Sequence, residues 1–323
     1  MPVKAFVVRG GQVNDVGELR RLLQLHGIVE ATDVGKADFV LALGDDRCVL
    51  DAVQLVGGLD VPILGVSVSG AGYLTSVSLE ELGAALAAVE RGEYEAATYV
   101  KLKGVVDGKS TLYALNEIAV FPARSAALMS YELAIDGEVI WSDRADGVLV
   151  ATPLGSTAYA LSAGGAVVFE GARVLEVVPV NSVDLAKRPL IVPDTSVVEI
   201  RSLSSRHPCE AIADGGARVR VEERVTVTAA ESPVRLIRLR PEPSVRETLR
   251  DKLAEAAGMP PSAKFVLKVL ELKGPLTARE LAEETMLPER TVRRALSELL
   301  RRGLVRRVVN LRDARQFYYD VVR

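Results

Sequence analysis

Cysteine and histidine are scarce in this chain of 323 residues, with two of each. Cys48 and Cys209 cannot build a disulfide framework, so free thiols in a cytoplasmic protein are expected. His26 and His207 lie far apart in sequence, which argues against a His-rich metal centre or a histidine-driven triad; no metal site is expected. Long apolar runs are missing too. The longest stretches, such as VPILGVSVSGAGYL, are broken by glycine and too short to span a bilayer. The first residues, MPVKAFVV, lack the charged, apolar and small-residue blocks of a secretory leader. What is present is ordinary: 49% apolar and 26% charged residues. That composition excludes a disordered chain or a fibrous repeat, and the length predicts two or three domains.

The net charge of -3 hides an asymmetry. From Asp251 onward there are 15 Lys and Arg against 10 Asp and Glu, a net of +5, which leaves -8 on the part before it. A basic tail on an acidic body predicts a polyanion partner for the tail alone.

Residues 1–97 alternate strand and helix. VKAFVV, ADFVLALG and VPILGVS read as short buried strands. Val16, Leu19, Leu22 and Leu23 recur at helical spacing between the first two, and RCVLDAVQLV is helical before the third. Ser78 with Glu81 predicts a capping box ahead of the helix LEELGAALAAVERG. This order predicts a parallel sheet with right-handed crossovers. Such sheets bind ligands at the carboxyl ends of their strands, where Gly44 to Arg47 fall. Over 98–243, many short strands with hairpin turns at Asp107-Gly108 and Asp136-Gly137 predict a β-sandwich. STAYALSAGG reads as a short helix after a glycine turn. Residues 244–261 read as a linker helix. Residues 262–323 read as three helices and a hairpin, with Phe265, Val266, Val269 and Leu270 on one face of the first helix and Thr277 capping the second.

The third helix of that tail has an apolar face of Val292, Leu296, Leu299 and Leu300. Arg290, Thr291, Arg293, Arg294, Ser297 and Arg301 are its candidate DNA contacts, because arginine reads guanine in the major groove and neutralises phosphate. Arg306, Arg307, Arg312 and Arg315 would bring the hairpin to the DNA backbone or minor groove. Over about 262–320 the sequence resembles winged helix-turn-helix domains, an all-α/winged-helix class, and double-stranded DNA is the expected partner. A winged helix used only for protein contacts is the alternative.

The most specific string is ADGVLVATPLGSTAYALSAGG, from Ala145 to Gly165, with LNEIAV upstream at Leu115 to Val120. With GVSVSGAGYLTSVSLEEL, RPLIVP at Arg188 to Pro193 and LRDKL at Leu249 to Leu253, it resembles the NAD kinase family over about residues 3–253. The resemblance implies an α/β Rossmann-like domain followed by a β-sandwich domain, with NAD bound between them, in a homodimer or homotetramer. It implies that Asn116 and Glu117 bind the adenosine end of the dinucleotide and that Asp146 bonds a ribose or the nicotinamide. Gly155, Thr157, Ala158 and Tyr159 would wrap adenine and ribose.

The departure from that family is at the phosphate end. The family's loop is GGDGT; here Gly44-Asp45-Asp46-Arg47-Cys48 stands in its place. Asp46 keeps the position near the hydroxyl that is phosphorylated, and is the expected catalytic residue if the chain is active. Asp45 and Arg47 replace glycines that offer bare amides to phosphate. A carboxylate there repels a triphosphate, by roughly 1 kcal/mol for two unit charges about 4 Å apart in water and several times that in a cleft. The arginine adds bulk, although its charge suits a pyrophosphate. Leu154 stands where the family often has a hydroxyl residue. The expectation is therefore a regulator that binds NAD or NADP and DNA, with kinase activity lost or weak. The alternative is an active kinase, using ATP and magnesium, with an added DNA-binding or oligomerising domain.

Overall fold

A computed structural model describes residues 2–10, 16–68, 72–124, 127–239, 260–285, 287–302, 304–309 and 317–321. They divide into two compact units, 1–242 and 243–323. The expected linker helix over 244–261 falls almost wholly outside the described residues.

The first unit opens with β1 (Lys4–Arg9), α1 (Val16–Leu25), β2 (Val29–Glu30), β3 (Phe39–Gly44), α2 (Asp46–Val56), β4 (Ile63–Ser67), β5 (Val77–Ser78), α3 (Leu82–Arg91) and β6 (Glu95–Tyr99). β3 and β4 are buried at every position, the pattern of strands covered on both faces. The capping box forms, with the Ser78 N–H donating to Glu81 Oε2 at 3.0 Å.

A β-rich stretch follows: β7 (Leu102–Val106), β8 (Ser110–Ala114), β9 (Glu117–Pro122), β10 (Met129–Ile135), β11 (Glu138–Ala145), β12 (Gly147–Ala151), the single-turn α4 (Tyr159–Ser162), β13 (Val174–Val180), β14 (Leu190–Pro193), β15 (Val198–Ser205), β16 (Cys209–Ala213), β17 (Ala217–Val221), β18 (Arg224–Ala229) and β19 (Val234–Arg238). The two Asp-Gly hairpins are present. Asp136 and Gly137 have φ of 52° and 86°, the left-handed pair of a two-residue hairpin loop between Ile135 and Glu138; Asp107 and Gly108, at 51° and 67°, open a three-residue loop between Val106 and Ser110. Two antiparallel sheets, ordered β11-β10-β15-β18-β7-β8 and β14-β13-β12-β9-β16-β17, pack over one core that includes Leu112, Ile118, Met129, Val148, Leu175 and Ile200. This is the expected sandwich.

The last strand departs from the expectation. β19 does not join the sandwich. It enters the first sheet, ordered β2-β1-β3-β4-β19-β6, parallel to β4 and antiparallel to β6. Val234 and Leu236 are buried with Val40 and Ile63 on one face of that sheet, and Ile237 with Leu64 and Leu86 on the other. A strand apolar on both faces is stable only where both faces are covered.

The second unit has α5 (Pro261–Lys273), β20 (Leu276–Thr277), α6 (Ala278–Thr285), α7 (Glu289–Arg301), β21 (Val305–Val309) and β22 (Phe317–Val321). The hairpin gains a third strand, in the order β20-β22-β21. Thr277 Oγ1 accepts the Glu280 N–H at 3.2 Å and Glu280 Oε2 accepts the Thr277 N–H at 2.7 Å, a reciprocal cap. Val266, Leu270, Leu281, Val292, Leu296 and Leu299 form the core. Phe265, read as facing inward, is instead 47% exposed; the buried stripe of α5 runs through Ala263, Val266 and Leu270.

Among the described residues, no helix is long and apolar enough to cross a membrane, and no cluster of His, Cys, Asp and Glu could hold a metal ion.

Candidate functional site

Asp46 is the first residue of α2, directly after the β3 carboxyl end. Its carboxylate accepts the backbone N–H of Tyr73 and Leu74, each at 2.9 Å, and of Thr75 at 3.2 Å. A Cβ at Gly72 would overlap that carboxylate, so glycine lets the segment close over Asp46. Gly44 is tight as well: a Cβ there would lie 2.9 Å from the Cys48 sulfur. Asp45 is exposed and extended and makes no side-chain cap on α2. Arg47 turns away from the loop. Its Nη1 donates to the Asp214 carbonyl at 2.6 Å and its Nη2 pairs with Asp51 at 3.1 Å. The guanidinium offered in the sequence to a pyrophosphate is thus engaged within the protein.

Asp214 is the residue that the motifs do not point to. It sits in the turn after β16 with φ of 47°, and its carboxylate accepts the N–H of Leu115 and Asn116, each at 2.8 Å, and of Glu117 at 3.1 Å. The Asn116-Glu117 pair is therefore held from behind. Thr152 holds it from the side: its Oγ1 donates to the Leu115 carbonyl at 2.6 Å and accepts the Gly155 N–H at 3.0 Å, while its own N–H donates to the Asn116 carbonyl at 2.9 Å. Gly155 lies so close to the Asn116 backbone that a Cβ would overlap it. The TPLGST turn and the LNE segment are one assembly.

Glu117 is 7% exposed. The Tyr159 N–H donates to it, and burial, reinforced by Asp214, pushes its carboxyl up to about 8. Its Oε2 has no hydrogen-bond partner. Burial also pushes up the Tyr159 hydroxyl, with Glu117 and Asp146 adding to the effect, so these three groups share one corner. The Tyr159 ring is 42% exposed and lies 6.0 Å from the Phe121 ring. Asp146 accepts the Asn181 side-chain amide at 2.9 Å. Leu154, in place of a hydroxyl residue, is buried in the cluster that also contains Cys48, Val49, Leu74 and Leu115. That cluster brings the N-terminal end of α2 against the Asn116 segment. Thr157 and Ala158 are half-buried beside it.

A second buried carboxyl is Glu176 on β13, 1% exposed, whose Oε1 accepts the Ala166 N–H while Oε2 is unpaired. Glu176 carries no sequence signal, since an acidic residue in a strand is ordinarily solvated; Asp214 with Gly215 reads only as an Asp-Gly turn, which does not mark its carboxylate as buried.

In the second unit Arg290, Arg293, Arg294, Ser297 and Arg301 of α7 are exposed; Arg290, Arg294, Ser297 and Arg301 follow one another at spacings of four, three and four residues, opposite the buried Val292, Ala295 and Leu299. Arg293 lies at an edge and pairs with Glu289 at 2.6 Å. It borders a cleft of about 490 Å3 shared with Thr277, Arg307, Phe317 and Tyr319. Arg301 pairs with Glu298 at 2.6 Å, and Arg306 with Asp320 at 2.9 Å. Arg307 stacks over Phe317 and Tyr319. Thr291 is half-buried, its N–H donating to the Pro288 carbonyl. Arg312 and Arg315 lie outside the described residues.

Residues 12–94 match the family model described as the ATP-NAD kinase N-terminal domain, and residues 115–239 match the ATP-NAD kinase C-terminal domain. Residues 257–316 match a model described as the MarR family. The chain is 36% identical over 211 residues to an NAD kinase of Methanopyrus kandleri, covering 65% of this chain and 76% of that one. It is 31% identical over 219 residues to an NAD kinase of Thermoplasma volcanium, covering 67% and 79%. Its fold is similar to the crystal structure of an NAD kinase from Archaeoglobus fulgidus in complex with ATP, with a TM-score of 0.64 and 25% identity over 78% of this chain and 99% of that one. It also shares the fold of a yeast NADH kinase complexed with NADH, with a TM-score of 0.65 and 20% identity over 81% and 89%.

Proposed function

The chain belongs to the NAD kinase family, and on that premise we propose that it is a dinucleotide-responsive transcription regulator whose kinase activity is lost or weak. NAD or NADP binds against Asn116, Glu117, Asp146, Gly155, Thr157, Ala158 and Tyr159. The observation that carries this reading is Glu117 Oε2, a buried carboxyl oxygen without a partner. A group so placed is destabilising until a donor reaches it, and a ribose hydroxyl is such a donor.

Weak phosphoryl transfer follows from the loop. Asp45 adds a negative charge where a polyphosphate would lie, and the Arg47 guanidinium that could offset it is engaged by Asp214 and Asp51. The MarR-type domain binds double-stranded DNA through Arg290, Arg294 and Arg301 of α7, with the hairpin on the backbone. A cytoplasmic homodimer or homotetramer presents these helices as a pair, spaced about 34 Å for successive major grooves. Ligand shifts operator affinity only by its differential affinity for the two arrangements of the assembly.

A working kinase using ATP and magnesium is the second reading. One observation favours it: Asp46 keeps three amide donors and so a fixed position. ATP-dependent NADP formation, measured beside calorimetric binding of NAD and NADP, separates the two. Binding without turnover supports the regulator. Turnover of about 1 per second or more supports the kinase. No binding of either nucleotide at millimolar concentration removes the dinucleotide reading.

A further inference from the structure

Arg47 and Gly216 are fitted to each other. A Cβ built at Gly216 would overlap the Arg47 guanidinium, so a side chain at residue 216 would displace the arginine from that turn. Gly216 does not have a positive φ, so glycine is not there for its backbone freedom. Arg47 Nη1 donates to the carbonyl of Asp214, and the carboxylate of the same residue holds the three amides of Leu115, Asn116 and Glu117. One residue thus links α2 to the strand that carries the proposed dinucleotide acceptors. The hydrogen bond is charge-assisted and 2.6 Å long, the stronger kind.

We infer that Arg47 is a positioning residue for dinucleotide binding: it fixes the 213–216 turn, and through Asp214 it sets where Asn116 and Glu117 meet the ligand. This rests on the reading that the cleft binds NAD or NADP. The side chain at position 47, where the family's loop has none, thus supplies a clamp on the ligand-binding strand.

The clamp is one of several ties of α2 to the sandwich: Gln54 Oε1 accepts the Tyr113 N–H at 2.8 Å, and Lys101 Nζ donates to the Gly57 carbonyl just past the helix end. Beside Arg47 lies a cleft of about 330 Å3 bordered by Leu50, Gln54 and Tyr113, into which a displaced side chain can move.

The test is calorimetric titration of the full chain with NAD, for the wild type, Arg47→Gly, Arg47→Lys, Gly216→Ala and the double variant, with thermal midpoints recorded in parallel. Arg47→Gly is expected to weaken NAD binding about tenfold, the loss of a charged hydrogen bond. Arg47→Lys should recover part of that loss, because an ammonium can still donate to the Asp214 carbonyl. Gly216→Ala should weaken binding to a similar degree in the wild type and add little in the Arg47→Gly background. A purely structural role lowers the midpoints and leaves the affinity of the folded protein unchanged. Equal NAD affinity in wild type and Arg47→Gly, or full additivity of the two substitutions, overturns the inference while leaving the dinucleotide reading intact. If Arg47→Gly does not fold, Gly216→Ala and Arg47→Lys decide it, and unchanged affinity in both overturns it. A wild type that binds no NAD overturns both.

Discussion

Asp214 Oδ1 accepts the Glu117 N–H at 3.1 Å, so two carboxyl groups share one buried corner, and only one has the donors to hold a charge there. Asp214 has three backbone amides and a nearby guanidinium; burial pushes it up, but only to about 6. Glu117 has one amide and an unpaired oxygen, and stands at about 8. Burial therefore favours the protonated form more strongly at Glu117 than at Asp214. A protonated Glu117 can donate to a ligand as well as accept from it.

Glu117 in the folded chain holds a proton that the unfolded chain has released above its model value of 4.5. Between about 4.5 and about 8, stability therefore falls as pH rises, by at most about 1.4 kcal/mol per pH unit. Glu117→Gln should flatten the profile between pH 6 and 8. The single tryptophan, Trp141 on β11, lets urea unfolding of the sandwich be followed by fluorescence at each pH. Parallel profiles in wild type and variant would show that Glu117 is ionised in the fold.

Asp214→Ala leaves three amides at a buried turn without their acceptor. It should destabilise the sandwich by about 3 kcal/mol, since unsatisfied buried donors cost about 1–3 kcal/mol each and some are rescued by water. Asp214→Asn keeps one acceptor oxygen and should cost less. The same fluorescence measurement in urea checks the order. Equal midpoints for wild type and Asp214→Ala would contradict the role assigned to this carboxylate.

Restoring the loop should restore phosphoryl transfer. Asp45→Gly with Arg47→Gly is expected to raise ATP-dependent NADP formation at least about tenfold, equivalent to about 1.4 kcal/mol in the barrier. The assay needs saturating NAD, because Arg47→Gly weakens its binding. No gain over the wild type would mean that the loop is not what limits the reaction.

On the second unit, Arg290→Ala with Arg294→Ala should abolish the specific DNA complex and reduce the slope of log affinity against log salt by about 2. Arg293→Ala should cost less, because its side chain borders the cleft with Arg307, Phe317 and Tyr319 at the edge of the arginine stripe. Fluorescence anisotropy on a fragment selected from genomic DNA, over a salt series, reads both. A larger loss from Arg293→Ala would move the contact stripe to that edge.

Much of this molecule is legible along the chain. The Asp-Gly hairpins and the Ser78–Glu81 and Thr277–Glu280 caps obey rules that act within a few residues, so residue type and spacing determine them. The motif strings likewise bring Asn116, Asp146 and Tyr159 forward as a group, and the spacing of α7 separates its buried face from its arginines. Tertiary structure decided the rest. That β19 leaves the sandwich for the first sheet depends on which sheet can cover both its faces. Arg293 moves to the edge because Glu289 lies one turn before it and the hairpin packs beside it. Arg47 could have met a phosphate or a protein group, and it meets a carbonyl 167 positions away. The Asp214-Gly215 dipeptide marks a turn, but what makes Asp214 important is burial opposite three amides that chain folding brings to it. A hydrogen bond between residues so far apart depends on where the sheets place them, and no local rule of sequence encodes that position.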